Sequence, residues 1–319
     1  MVSEVTIVLL GLLAITAIAA IRLHDLFAVV MMFGIYSLLA AVTFVVLDAV
    51  DVAFTEAAVG AGISTVLMLA TIGLVGRWER RSKHRPLLPL LVVIVTGAAL
   101  IYGTLDMPYF GDPSAIVHQY VAPRYLQQSS MEIGIPNVVT SILASYRGYD
   151  TLGELTVIFT AGIGVLALLG IPHRKREKNM MDNIVLRLAG RIVIPLIFLF
   201  ALYVQFHGDY GPGGGFQAGV IFASGMILYG LIFGIRSLQR LISERLLYVL
   251  IASGLLLFSI VGIVPMMLGR NFLDFDILAL EPLAGQHLGI LLVELGVGIT
   301  VAAVMITIFI AFAGRRSGR

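Results

Sequence analysis

The sequence predicts an all-α, polytopic membrane protein of about nine transmembrane helices plus one amphipathic interfacial helix. Three observations predict it. The chain is 59% hydrophobic and only 13% charged, whereas a soluble domain carries roughly 25% charge and needs it to cover a water-facing surface. Its mean hydropathy is +1.00, and the apolar residues come in repeated blocks of about 20, the length that crosses a bilayer as helix. Finally, the loops between the blocks alternate in charge.

The blocks place spans near 4–21, 26–47, 52–76, 87–105, 150–170, 190–207, 215–235, 246–268 and 287–312. The first is preceded only by Glu4 and lacks a basic leader, so it reads as a retained span rather than a signal peptide. The stretch 131–147 is apolar at helical spacing but too short and polar to span. It reads as the interfacial helix.

Loop 77–86 carries five cations and one acid, and loop 173–191 carries Arg174, Lys175, Arg176, Lys178, Arg187 and Arg191. Loop 236–245 has Arg236, Arg240 and Arg245, and the tail has Arg315, Arg316 and Arg319. The intervening loops are neutral or acidic, with Asp48 and Asp51, then Asp106, Asp112 and Glu132, then Asp274, Asp276 and Glu281. Short basic loops stay cytoplasmic, which puts the N-terminus outside and the C-terminus inside. An odd number of spans requires the termini on opposite sides, in agreement. The basic loops at 77–86 and 171–187 divide the chain into 1–80, with three spans, 81–172, with two spans and a long loop, and 173–319, with four.

Ionisable groups inside hydrocarbon are expensive, so those present are functional candidates. Three glutamates qualify: Glu56 in Asp51-Val-Ala-Phe-Thr-Glu-Ala-Ala-Val-Gly-Ala-Gly62, Glu154 in Asp150-Thr-Leu-Gly-Glu154, and Glu294 in Leu291-Leu-Val-Glu294. Thr55 and Asp51 accompany Glu56. Glu154 lies in the first turn of a span, where the helix dipole alone accounts for a carboxylate. Gly60 and Gly62 read as small-residue packing, with a π-bulge as the alternative. The segment His207-Gly-Asp-Tyr-Gly-Pro-Gly-Gly-Gly-Phe-Gln-Ala-Gly219 reads as a tight hairpin: Pro212 stops one helix, Gly213, Gly214 and Gly215 turn the backbone, and Gln217 enters the next. It lacks the ending of a phosphate loop. With His207 and Asp209 it forms either a structural turn or a contact for a partner protein.

Absences narrow the function. With no cysteine there is no disulfide, thiolate metal site or cysteine nucleophile. No motif suits a metal, haem, flavin, nicotinamide or nucleic acid. Lys83, Lys175 and Lys178 all fall in loops, so no span carries a lysine whose charge could swing in a proton pump. The chain reads as part of a transporter rather than an enzyme or a complete pump.

Three motifs resemble one family. Asp51 to Gly62 resembles a three-helix module near the C-terminus of the A-type protein of Mrp antiporters, a module that also occurs as the D-type component of membrane-bound hydrogenases. Asn137-Val-Val-Thr-Ser-Ile-Leu-Ala-Ser-Tyr-Arg-Gly-Tyr-Asp-Thr-Leu-Gly-Glu154 is similar to the next module, the hydrogenase E type. His207 to Gly219 is similar to the signature turn of the Mrp B-type protein. The resemblance implies a fusion in which the C-terminal modules of an A-type chain are joined to a B-type chain. It also implies antiporter-like A/D-type, C, E, F and G-type partners, a prokaryotic cytoplasmic membrane, and Na⁺ and H⁺ as transported ions without a cofactor. Glu56 and Glu154, and less closely Glu294, match acidic positions associated with the ion path. An ion module of a respiratory complex, such as a membrane-bound hydrogenase, and a scaffold protein are the alternatives.

Overall fold

The computed structural model describes residues 2–79, 87–109, 111–170 and 184–313. The cations at 80–85 and 174–178 and those of the tail lie outside these residues. Among the described residues nine helices are long and apolar enough to cross a membrane. We number them α1 (Glu4–Arg22), α2 (Leu26–Val46), α3 (Val50–Gly73), α4 (Leu87–Thr104), α5 (Gly148–Leu169), α6 (Ile184–His207), α7 (Gly215–Phe233), α8 (Glu244–Met267) and α9 (Pro282–Ala313). The chain is a multi-pass membrane protein, and no strand occurs among the described residues.

Two helix starts differ from the sequence reading. α6 begins at Ile184 and takes in Arg187 and Arg191, and α9 begins at Pro282 and takes in Gln286 and His287. Polar residues near a bilayer surface lower local hydropathy without breaking a helix, so hydropathy alone ends such spans early.

α7 and α9 are the most buried spans, and no residue of α4 is buried. Water does not drive helices together inside lipid, so close backbone packing must. Glycines permit it here. A Cβ at Gly219 of α7 would lie 2.7 Å from Gly298 O of α9, and one at Gly296 of α9 would lie 2.7 Å from Gly254 O of α8. Gly215 and Gly219, four residues apart, press α7 onto α9 in a small-xxx-small pattern. Phe258, Phe309, Ile290, Leu247 and Ile251 fill the core between α7, α8 and α9. The exposed Val, Leu and Ile of α1 and α4 meet no protein and suit lipid.

A π-helical segment, Ala57–Ser64, interrupts α3 immediately after Glu56. The glycines there therefore accompany a backbone distortion, where the sequence favoured plain packing. Thr65 Oγ1 reaches back to Gly60 O at 3.4 Å.

The single helix expected over 131–147 is not present. A helix at Ala122–Glu132 ends, residues 133–137 are irregular, and a short helix starts at Val138 and turns π-helical over Ser141–Tyr146. Gly134, with φ +80°, makes the break. The polarity of this stretch is spent on protein contacts: Thr140 and Ser141 are buried, and Ser145 Oγ donates to Gln286 Oε1 at 2.8 Å.

Candidate functional site

The glycine-rich hairpin begins where α6 ends at His207. The Tyr210 and Gly211 amides donate to His207 O at 2.9 and 3.0 Å, and the Gly214 amide returns to Val204 O at 3.0 Å. The turn thus caps the helix it leaves. Gly214 has φ +112°, a region that favours glycine.

Two other parts of the chain grip this hairpin. Asn137 Nδ2 donates to Gly208 O at 3.0 Å and to Gly211 O at 2.9 Å, and Thr140 Oγ1 donates to Gly208 O at 2.7 Å. The Asn137 amide donates to Asp209 O at 3.0 Å. From α3, Asp51 Oδ1 accepts from the Gly213 amide at 3.1 Å, and Thr55 Oγ1 accepts from Gln217 Nε2 at 2.9 Å. The hairpin is the junction of all three sequence segments.

Beneath it lies a cavity of about 730 Å³. Asp51 and Thr55 come from α3, Glu154 from α5, Gln217 from α7 and Glu294 from α9, with Gly213, Gly214 and Gly215 forming one wall. Phe258, Val293 and Val297 supply apolar floor. Glu294 lies against the hairpin backbone: a Cβ at Gly214 would fall 2.8 Å from its Oε1, and one at Gly208 3.3 Å. The donors are carboxylate, hydroxyl and amide oxygens, chemistry that suits a proton or a hard cation. Among the described residues no group of three His, Asp or Glu side chains is arranged to hold a metal ion.

The sequence candidates divide. Asp51, Thr55, Glu154, Glu294, Gln217 and Gly213–Gly215 line the cavity. Glu56 does not. Its Oε1 lies over Gly60 beside the Ser37 side chain, on the α2 side of α3. The His207 ring stacks on Tyr203, with centroids 4.9 Å apart, and its Nε2 tucks against Gly211. Pro212 lines a separate crevice with α2 and α3. Asp209 Oδ2 pairs with His287 Nδ1 at 3.5 Å. Burial pushes the Asp209 carboxyl above its ordinary value, and His287 partly offsets this.

Sequence reading passed over Asn137, Thr140 and His287 as working residues. His287 carried a usable signal: it stands seven residues before Glu294, on the same helical face. Asn137 carried only its type, a residue favoured at helix N-termini, and here it accepts from the Val139 amide at 3.0 Å.

Comparison with known proteins gives three contiguous family matches. Residues 11–77 match the MbhD family, the D-type component of MBH, and residues 85–183 match the MbhE family, its E-type component. Residues 185–307 match the MnhB family, a domain related to the MnhB subunit of Na⁺/H⁺ antiporters. The putative antiporter subunit mnhB2 of Staphylococcus aureus is 37% identical over 141 residues, covering 43% of this chain and 98% of that protein. A chain of the Mrp complex from Dietzia sp. DQ12-45-1b superposes with a TM-score of 0.75 at 26% identity, covering 98% of this chain. This chain spans only about a third, 35%, of the length of that one. A chain of the membrane-bound sulfane sulfur reductase, an archaeal respiratory membrane complex, matches at 31% identity and TM-score 0.52, over 70% of this chain and 95% of that one.

Proposed function

The chain belongs to the family of MnhB-type Na⁺/H⁺ antiporter subunits, and on that premise we propose that it is a membrane subunit of a multi-subunit monovalent cation (Na⁺)/proton antiporter complex. It contributes to the cation path or its coupling rather than acting alone. It is a transporter module, not a catalytic enzyme. Its partners would be antiporter-like A/D-type, C, E, F and G-type subunits, with a separate chain supplying the proton-translocating core. An organisation into modules at 1–80, 81–172 and 173–319 belongs to the same reading and is supported by the three contiguous family matches.

One observation carries the role in the path: the cavity under the hairpin draws Asp51, Glu154 and Glu294 from three different helices into one space. A carboxylate inside a span is costly unless it is paired, neutralised or wetted. Three around one cavity can exchange Na⁺ for H⁺ in turn, with Thr55 and Gln217 offering neutral oxygens. Orientation belongs to the same proposal. The basic loops face the cytoplasm of a prokaryotic cell and the hairpin faces outward, which supports passage from the cavity to the external side.

The test is Na⁺-driven dissipation of a pH gradient in everted vesicles from cells co-expressing the partner subunits. Glu294→Gln and Glu154→Gln should each lower the rate by about a hundredfold, the low end for loss of a proton-transfer group, while the complex still co-purifies. Full activity in both variants would end the reading. Glu56→Gln, run beside them, asks whether a carboxylate on the α2 side of α3 also takes part.

Similarity over 95% of a respiratory-complex chain favours a second reading, an ion module of a redox-driven assembly. Co-purification of redox subunits in place of antiporter subunits would mark it.

A further inference from the structure

We propose that His287, paired with Asp209 at the rim of the hairpin, is where protons from the external solution enter the acid-lined cavity. The inference rests on the antiport reading and adds a residue that it does not use.

The geometry separates two kinds of group. Glu294 lies under the hairpin, against Gly208 and Gly214. Protons must reach it from water, and the hairpin backbone covers it. The His287 side chain, seven residues earlier on α9, is 41% exposed, while its partner Asp209 is 20% exposed. Seven residues are about 10 Å of helix rise, so one face of α9 carries an imidazole near the surface and a carboxyl two turns deeper. Asp209 faces His287 Nδ1 at 3.5 Å, and a Cβ at its chain neighbour Gly208 would fall 3.3 Å from Glu294 Oε1. Imidazole exchanges protons near neutral pH with little driving force in either direction, which suits a relay.

Other polar groups of the neighbouring elements have partners of their own. From α3, Asp51 accepts from the Gly213 amide. From the turn before α9, Asp276 accepts from Gln286 Nε2 at 2.8 Å. On the hairpin's own segment, His207 is turned to Tyr203 and Gly211. His287 Nδ1, at 3.5 Å, is the partner that the structure sets against Asp209 Oδ2.

The proton balance is simple. Neutral His287 takes a proton from water at Nε2. Imidazolium Nδ1–H gives its proton to Asp209 Oδ2, leaving a neutral ring protonated on Nε2. Asp209 passes the proton on to the Glu294 carboxylate, which lies against Gly208 next to it in the chain, and is again ionised. Tautomer exchange with solvent resets the half-exposed ring.

The experiment measures Na⁺/H⁺ exchange by the assembled complex in vesicles across a range of pH, for His287→Gln, Asp209→Asn and their double variant. The expected result is a fall of about tenfold or more in the maximal rate and loss of the wild-type pH dependence. The Na⁺ concentration for half-maximal rate should stay unchanged, and the double variant should be no worse than either single one. A wild-type rate and pH profile in His287→Gln overturns the proposal, and so does a uniform fall that keeps the profile's shape, since that marks a structural role. If His287→Gln fails to assemble, Asp209→Asn carries the same test. Glu294→Gln separates the two levels: inactive Glu294→Gln beside normal His287→Gln sinks the entry route alone, while full activity in both Glu294→Gln and Glu154→Gln sinks the antiport reading beneath it.

Discussion

Thr55 and Glu56 are neighbours, and a helix turns about 100° between them. That rotation sends Thr55 to the cavity and its bond with Gln217, and Glu56 to Ser37 and Gly60. The same scale decides how the site is closed. Gly215 faces the backbone of Glu294 so closely that a Cβ there would fall on the Glu294 carbonyl. No side chain can give way, so Gly215→Ala should force α7 from α9 and cost about 1–3 kcal/mol. Thermal unfolding in detergent should show it as a clear drop. Gly11→Ala, where a Cβ meets nothing within 4 Å, should change little and serves as the control. Which residues are acidic was legible in the sequence, but which way each one points was not. Glu56 and Glu294 both read as buried acids in a span. Only packing against α2 in one case, and against the hairpin in the other, tells them apart.

At the scale of elements, helix existence followed from composition, because twenty apolar residues in lipid have little choice but to satisfy their backbone internally. Irregular backbone was harder to read. The break at 133–137 arises where backbone and side-chain groups find partners outside the local helix, and those partners are distant in sequence. Asn137 is the clearest case. Its side chain reaches carbonyls 71 and 74 residues away and holds the hairpin that in turn holds Asp51. Asn137→Ala removes both donors and leaves Gly208 O with Thr140 alone among its side-chain partners. The cost should be about 2–4 kcal/mol. Amide hydrogen exchange should speed up over 208–214 in the assembled complex, with the helices of the core unchanged. Unaltered protection of those amides would show that the hairpin holds itself.

At the scale of the whole molecule, the two ends of the bundle differ in charge, and the sequence carried that asymmetry without any fold. Arg77, Arg187, Arg191, Arg236, Arg240 and Arg245 belong to one end, while Asp51, Asp209, Asp274 and Asp276 belong to the other with the hairpin. Two of the few cations at the acidic end are already paired there, Arg124 with Glu132 at 3.3 Å and Arg147 with Asp150 at 2.5 Å. Pairing does not cancel the rule that orients such proteins, which counts Lys and Arg near the spans rather than net charge. The basic end should therefore be cytoplasmic. A chain without native cysteine makes this directly measurable, because one introduced thiol is the only thiol. Leu280, fully exposed in the connection before α9, and Leu241, 58% exposed in the connection before α8, sit on opposite ends. In intact cells a membrane-impermeant maleimide should label Leu280→Cys and leave Leu241→Cys unlabelled until the membrane is permeabilised. The reverse pattern would turn the bundle over and set the His287 rim toward the cytoplasm, so that protons arriving there would come from inside the cell. An antiporter that takes protons from outside requires the first pattern, which ties the direction of exchange to the placement of a few arginines.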